Sequence, residues 1–272
     1  MYKTQKNKLI YSVLMLVCIA AYWLFDNFYT PDTYSQQTEN GPKTSIARNL
    51  MPSSTTGEIV EHSHYTLSYN EPYEQAEWVA YILKKEHLTH DDRKRPYFIE
   101  DPKVRTKSAD WRNYKGSGYD RGHLCPAGDR RFTKQAYDET FYTSNISPQD
   151  RDFNAGIWNE LEKQVRMWAK QYGEVFVVTA GVLEKGLEEI GEEDVDVPKF
   201  YYKIIARGNG DDQKVIAFLM EGKQSTKSLK QFSVPVDKIE IRTGIDFFEK
   251  LSKKQQNQLE STVDTGDWNF KF

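Results

Sequence analysis

Only two cysteines, Cys18 and Cys125, occur in the 272 residues, and Cys18 lies in an apolar stretch near the N-terminus. A disulfide inside a soluble domain is therefore excluded whatever the redox poise of its compartment. Histidine is nearly as scarce, at five residues. Neither His62 with His64 nor His87 with His90 has a companion cluster that would complete a transition-metal site, so these four are expected at the surface. A basic excess is also missing. The formal net charge is −3, and residues 26–272 hold 34 basic against 40 acidic side chains, a balance of −6. That excludes a generally basic nucleic-acid binder. Internal repeats are absent, and no calcium-loop spacing is present in the acidic run from Glu188 to Asp196, which is expected to sit away from an anionic substrate or to rim a loop.

There is one long hydrophobic run, Leu9 to Phe25, preceded by Lys3, Lys6 and Lys8. Its length suits a membrane span or the apolar part of an export signal, and the lysines favour a cytoplasmic N-terminus with everything after Asp26 on the far side. No small-x-small cleavage site follows it. The expected organisation is an uncleaved anchor at 1–28, a flexible tether at 29–57 rich in Ser, Thr, Pro, Gln and Asn, and a folded domain at 58–272. If the anchor is cleaved, the domain is secreted.

Within that domain the pattern predicts a strand at Tyr65–Tyr69, a helix at Glu74–Lys85 and a strand at Phe141–Ile146. A helix carrying Leu161, Val165 and Trp168 at helical spacing follows, with Gly173 placed to end it. Strands are expected at Val175–Thr179, Phe200–Ile205 and Lys214–Leu219, a short helix or turn at Thr243–Leu251, and a loosely packed Gln-rich tail. This mixed order predicts an α+β domain with a largely antiparallel sheet rather than a doubly wound one.

The chemistry concentrates in Asp120-Arg121-Gly122-His123, followed by Thr143–Gln149 and by the segment Asn154–Glu162. Histidine is suited to general base work, because a neutral imidazole with an ordinary pKa near about 6.5 can take a proton from water. Asn154 and Glu162 are eight residues apart, roughly two turns of helix, and could look into one cleft. A hard divalent cation keeps most of its waters, so Asn154 could hold it by one amide oxygen while Glu162 accepts from those waters. The structural alternatives are a helix N-cap for Asn154, a hydrogen-bonded histidine under a turn for His123, and an Asp120–Arg121 salt bridge. Gly122 would allow close backbone approach. Around these residues the charge is local: Lys84 to Lys134 holds 14 Lys and Arg against 8 Asp and Glu, a balance of +6. Positive charge is then where a phosphate backbone would need it, or it is a solvated face.

These motifs resemble those of the DNA/RNA non-specific endonucleases, the ββα-metal or His-Me finger class. The resemblance rests on Gly116–Leu124, Ser144–Gln149 and Phe153–Glu162, extends to Tyr69–Glu71, Trp78–Tyr81, Val178–Gly181 and Thr243–Phe248, and covers about residues 60–250. It implies a ββα catalytic element, His123 as general base, Asn154 as metal ligand, Glu162 as the carboxylate holding metal-bound water, and Asn145 as a supporting amide. It also implies a phosphate-facing arginine before an aromatic and an acidic residue, which best fits Arg95, with Arg93 as the competing register; Arg121 is a further substrate contact. The implied cofactor is Mg²⁺, with Mn²⁺ or another divalent cation possible. The implied substrates are DNA and RNA, cut to leave 5′-phosphates. Two positions depart from the family pattern: Cys125, where a small residue is usual, and Val182, where proline is common. A thiol-sensitive site and a buried apolar cysteine both remain open at Cys125. Alternatives to the nuclease are a catalytically silent nucleic-acid-binding module of the same fold and a small-substrate phosphodiesterase. Oligomeric state is not encoded in any recognisable pattern.

Overall fold

The computed structural model describes residues 2–28 and 49–270, in two units divided between Asp32 and Thr33. The first unit is one helix, α1 (Tyr2–Phe28). Its stretch Asn7–Phe25 has a mean hydropathy of 2.0 and buries none of its apolar side chains in the protein, so it is long and apolar enough to cross a membrane. Most of the expected tether, residues 29–48, lies outside the described residues.

The second unit runs β1 (Ile59–Glu61), β2 (Thr66–Asn70), β3 (Gln75–Lys84), β4 (Asp120–His123), α2 (Lys134–Glu139) and β5 (Ile146–Gln149). It continues through α3 (Asn159–Tyr172), β6 (Glu174–Gly181), β7 (Glu188–Ile190), β8 (Val195–Val197), β9 (Phe200–Arg207) and β10 (Lys214–Glu221). The last elements are β11 (Ser233–Val234), α4 (Val236–Thr243) and α5 (Lys253–Glu260). The central sheet has the order β1-β2-β3-β6-β9-β10-β11 and is antiparallel throughout, as the α+β reading required. Two small antiparallel pairs stand apart from it, β4 with β5 and β7 with β8.

The expected helix at Glu74–Lys85 is instead strand β3, paired with β2 on one side and β6 on the other. Its residues from Gln75 to Tyr81 are all buried, so both faces are covered and no period-two alternation survives to announce a strand. Glu77, which reads as a helix former, is buried there because Ser68 Oγ, Thr55 N and the Thr55 hydroxyl donate to its carboxylate. The expected strand at Phe141–Ile146 is displaced toward the C-terminus. A 3-10 turn occupies Thr143–Asn145 and the strand proper is β5, which accommodates Pro148 because its one strand partner is β4.

Residues before Glu58 also pack on the sheet: Leu50 is buried, and the Ser53 carbonyl accepts the Trp78 indole N–H at 2.8 Å. The tail is not loosely packed. Trp268 is 3% exposed and meets Trp168 of α3 at 4.8 Å between ring centroids, with Phe270 on the same indole at 5.2 Å. Trp168 also faces Phe218 of β10, so α3 is sandwiched between the sheet and the C-terminal segment. Gly173, at φ 90°, ends α3 in a conformation that favours glycine. Thr243–Leu251 begins at the last residue of α4 and turns through Gly244 at φ 71°.

Candidate active site

Strands β4 and β5 and the helical segment after them form a ββα element. Asp120 pairs with Gln149, Gly122 with Ser147 and His123 with Ile146. A Cβ on Gly122 would overlap the Gln149 side chain, so glycine is what lets the two strands close here. Successive residues on a strand face opposite ways, which separates Asp120 from Arg121. They form no salt bridge with each other: Asp120 meets Arg151 at 3.4 Å and Asn154 Nδ2 at 3.3 Å.

Arg121 and His123 lie on the other face against an aromatic wall. The His123 ring packs on Phe98 and edge-on to Phe141, at 5.6 and 4.9 Å between centroids. The guanidinium groups of Arg95 and Arg121 lie over Phe98 at 5.2 and 4.9 Å, and Arg95 also lies over Phe141 at 5.6 Å. One imidazole and two guanidiniums therefore share one wall. Burial, and then the charges of Arg95 and Arg121, push the His123 pKa down to about 3. Its Nε2 is enclosed without a hydrogen-bond partner. The imidazole is neutral at physiological pH, the form that can accept a proton.

Arg93 is not part of this group. Its Nε donates to the Arg131 carbonyl at 3.0 Å and its Nη2 to Asp91 at 2.9 Å, which turns it toward the loop before α2. Asn145 is also away from the cleft surface. It is fully buried; its Oδ1 accepts from Cys125 N at 2.8 Å, and its Nδ2 donates to the carbonyls of Cys125 and Thr140 at 3.0 and 2.9 Å. All its polar atoms grip the backbone two residues after His123. Both its Oδ1 and its Nδ2 are thus engaged by backbone groups.

Asn154 sits where the helix is irregular. The N-cap is Asp150, which accepts from Phe153 N at 2.9 Å, so Asn154 lies inside the helical segment. A wide π-type turn at Asn154–Trp158 leads into α3, with Gly156 off the helical region at φ −96°, ψ −115°. The side chain of Gln224 enters this kink, its Oε1 accepting from Ile157 N at 2.8 Å, and a Cβ on Gly156 would collide with it. Counting turns on an ideal helix therefore does not place Asn154 relative to Glu162, and Gln224, remote in sequence, gave no signal.

Asn154 Nδ2 is occupied by Asp120, which leaves Oδ1 as a donor of the hard oxygen type. Glu162 is 14% exposed at its side chain and lies 3.8 Å from Arg166, which in turn holds the buried Asp129 at 2.7 Å. Burial raises the Glu162 carboxyl to about 7, against the pull of Lys203 and Arg166. Lys203 is itself fully buried, with its pKa lowered to about 8 chiefly by burial, its ammonium 4.6 Å from the Trp158 ring. A lone lysine in an otherwise apolar strand was the signal for it in the sequence. No trio of His, Cys, Asp or Glu converges at Asn154 among the described residues. One amide oxygen, with the Asp120 carboxylate 3.3 Å from the same side chain, fits a hard, water-retaining divalent cation and does not suit a transition metal.

Cys125 is buried and its thiol is pushed up to about 12 by burial, so it is an inert apolar cysteine. His62 is not at the surface. It is buried, with Nε2 2.7 Å from Asp101 Oδ2, and Ser144 Oγ donates to the same oxygen at 2.5 Å. The acidic β7–β8 hairpin packs beside the site: the Glu193 carboxylate accepts from Asp110 N, and the Glu188 carboxylate accepts from the Tyr119 hydroxyl.

An antiparallel sheet carrying a ββα element, with a histidine and two arginines on one aromatic wall and an amide tethered to the same strand, has the fold of a ββα-metal nuclease. The comparisons with known proteins agree. The model of the DNA/RNA non-specific endonuclease family matches residues 43–254, and the chain belongs to that family. It is 36% identical over 222 residues to nuclease C1 of Cunninghamella echinulata var. echinulata, covering 72% of this chain and 85% of that one. It is 31% identical to the mitochondrial nuclease EXOG of Mus musculus, over 88% of this chain and 71% of that protein. With the human mitochondrial endonuclease G the identity is 33%, over 70% of this chain and 69% of the other. A chain from the solved EndoG/EndoGI complex superposes with a TM-score of 0.69 at 31% identity, covering 78% of this chain and 91% of that chain. The protein is thus a nuclease, a hydrolase of nucleic acids.

Proposed function

We propose that this protein is a sugar-non-specific endonuclease that hydrolyses DNA and RNA at the 3′ oxygen and leaves 5′-phosphate ends, held outside the cytoplasm by α1. The observation that carries the mechanism is the imidazole of His123, kept neutral by burial beside Arg95 and Arg121. Asn154 is linked through Asp120 to the same strand, about 10 Å of chain away.

His123 takes the proton of the attacking water. Arg95 and Arg121, stacked on Phe98, face the scissile phosphate and oppose its developing charge. Asn154 would supply the ligand oxygen to a divalent cation and Glu162 would accept hydrogen bonds from that ion's hydration shell, while Asn145 fixes the backbone on which His123 stands. A divalent cation such as Mg²⁺ held there would supply Lewis acidity over the phosphate and ease departure of the 3′ oxygen. Because phosphates rather than base edges are contacted, sequence preference is slight and binding weakens with salt. Plasmid DNA and RNA incubated with the purified protein and Mg²⁺, then with EDTA, test this. Metal-dependent cleavage of both polymers is expected; binding without cleavage under every divalent metal would refute it.

A further inference from the structure

Two buried side-chain oxygens without a hydrogen-bond partner, Gln256 Oε1 and Glu260 Oε1, lie one helical turn apart near the C-terminus, remote in sequence from the ββα element. Asp237 and Glu240 lie three residues apart, on one face of α4, and Glu260 closes α5. One donor oxygen from each lies within 4.8 Å of the other two. Oxygens sharing one Ca²⁺ at about 2.4 Å can be at most about 4.8 Å apart, so the three could contact a single ion nearly as they stand.

A cluster of acids alone would carry little, since exposed carboxylates often gather without a ligand. Here Glu260 is 6% exposed, and its Oε1 is buried with no hydrogen-bond partner. Buried carboxylate oxygens are ordinarily satisfied. One turn earlier on α5, Gln256 is 2% exposed; its Nε2 donates to Asp246 Oδ1 at 3.1 Å, while its Oε1 is likewise buried and unpartnered. Glu240 is fixed in place, its Oε1 accepting from Phe247 N at 3.0 Å. Burial, then the charges of Glu240, Asp246 and Asp237, pushes the Glu260 carboxyl up to about 7, with Lys253 only partly offsetting them. The same field that resists ionisation of Glu260 attracts a cation.

We propose that Asp237, Glu240 and Glu260 form a second divalent-cation site, distinct from the catalytic one, that takes a calcium-type ion and ties α5 to α4. An all-oxygen, carboxylate-rich donor set without His or Cys selects Ca²⁺ over transition metals, and irregular protein cages suit Ca²⁺ better than Mg²⁺. The family match ends at residue 254, so Gln256 and Glu260 lie beyond it. The ion would thus be a feature of the C-terminal extension, holding the segment that delivers Trp268 to α3.

The test uses the full-length chain in detergent, stripped of metal, with Asn154→Ala to disable the catalytic site. Ca²⁺ at about a hundredfold excess over its Kd should raise Tm by about 5–10 °C, and equilibrium dialysis with radioactive Ca²⁺ should find one bound ion per chain. Adding Glu260→Gln or the half-buried Asp237→Asn should abolish both the shift and the bound ion. Asp237→Asn is the safer variant if Glu260→Gln folds poorly. The proposal is overturned if Asn154→Ala shows no Ca²⁺-dependent rise, or if Asp237→Asn keeps it. It is equally overturned if Glu260→Gln raises Tm while its parent ignores Ca²⁺, since a proton would then be the natural occupant. Nuclease activity does not enter this readout.

Discussion

His123 offers a quantitative prediction about stability. Its folded pKa is about 3, depressed by burial and by Arg95 and Arg121, whereas in the unfolded chain it is about 6.5. The sign follows directly. Above about 6.5 both states are neutral and the group contributes no pH dependence; as pH falls toward 3, the unfolded state binds a proton that the folded state refuses, and stability is lost. Linkage gives about 0.2 kcal/mol lost at pH 7 and about 2 kcal/mol at pH 5, so acidification between the two costs about 2 kcal/mol through this residue alone. Replacing His123 by Ala removes that proton sink. Urea unfolding of both proteins in EDTA at pH 7 and pH 5 measures the difference, and groups common to both cancel. The wild type should lose about 2 kcal/mol more than His123→Ala over this interval. Parallel losses would refute the claim that the imidazole is held neutral.

Three further outcomes are expected. Arg95→Ala should lower kcat/KM on DNA by about 10²-fold through lost electrostatic stabilisation, whereas Arg93→Ala, whose guanidinium is spent on the Arg131 carbonyl and Asp91, should leave kcat/KM within about threefold; steady-state kinetics decides between them. Asn145→Ala orphans Cys125 N and two carbonyls in the core, and should cost about 3 kcal/mol in denaturant unfolding. Glu162, raised to about 7 by burial, must be charged to serve a cation, so the apparent Mg²⁺ affinity should fall as pH drops below 7, approaching about tenfold per unit, and titration calorimetry should show proton release on binding near pH 7.

The ββα element was legible because its motifs are local in sequence. The stretch from Asp120 to His123 is a strand, and its pairing with Ser147 and Gln149 follows from a glycine with no side chain to obstruct it. What the sequence concealed depends on contacts from distant segments. Strand β3 has Gln, Ala, Glu and Lys positions that favour a helix by propensity, and only neighbours on both edges make it a strand. The kink at Gly156 is completed by Gln224, 67 residues after the amide it caps. His62 is an isolated histidine in sequence, yet it stacks on Tyr142 and binds Asp101 in the interior. The tail shows the same limit, since its Gln-rich composition hides Gln256 and Glu260 among solvated neighbours. The motif register favoured Arg95 and left Arg93 as its competitor; of the two, Arg95 is the one that lies over the aromatic wall of Phe98 and Phe141.

The central claim is that His123 is the base of a metal-dependent nuclease. It is tested most directly by single-turnover cleavage of plasmid DNA and of RNA in saturating Mg²⁺, comparing wild type with His123→Ala. A fall of about 10²–10⁴-fold in the cleavage rate on both polymers, with gel-shift affinity for DNA retained, is the predicted result. Undiminished cleavage by the variant would contradict the account.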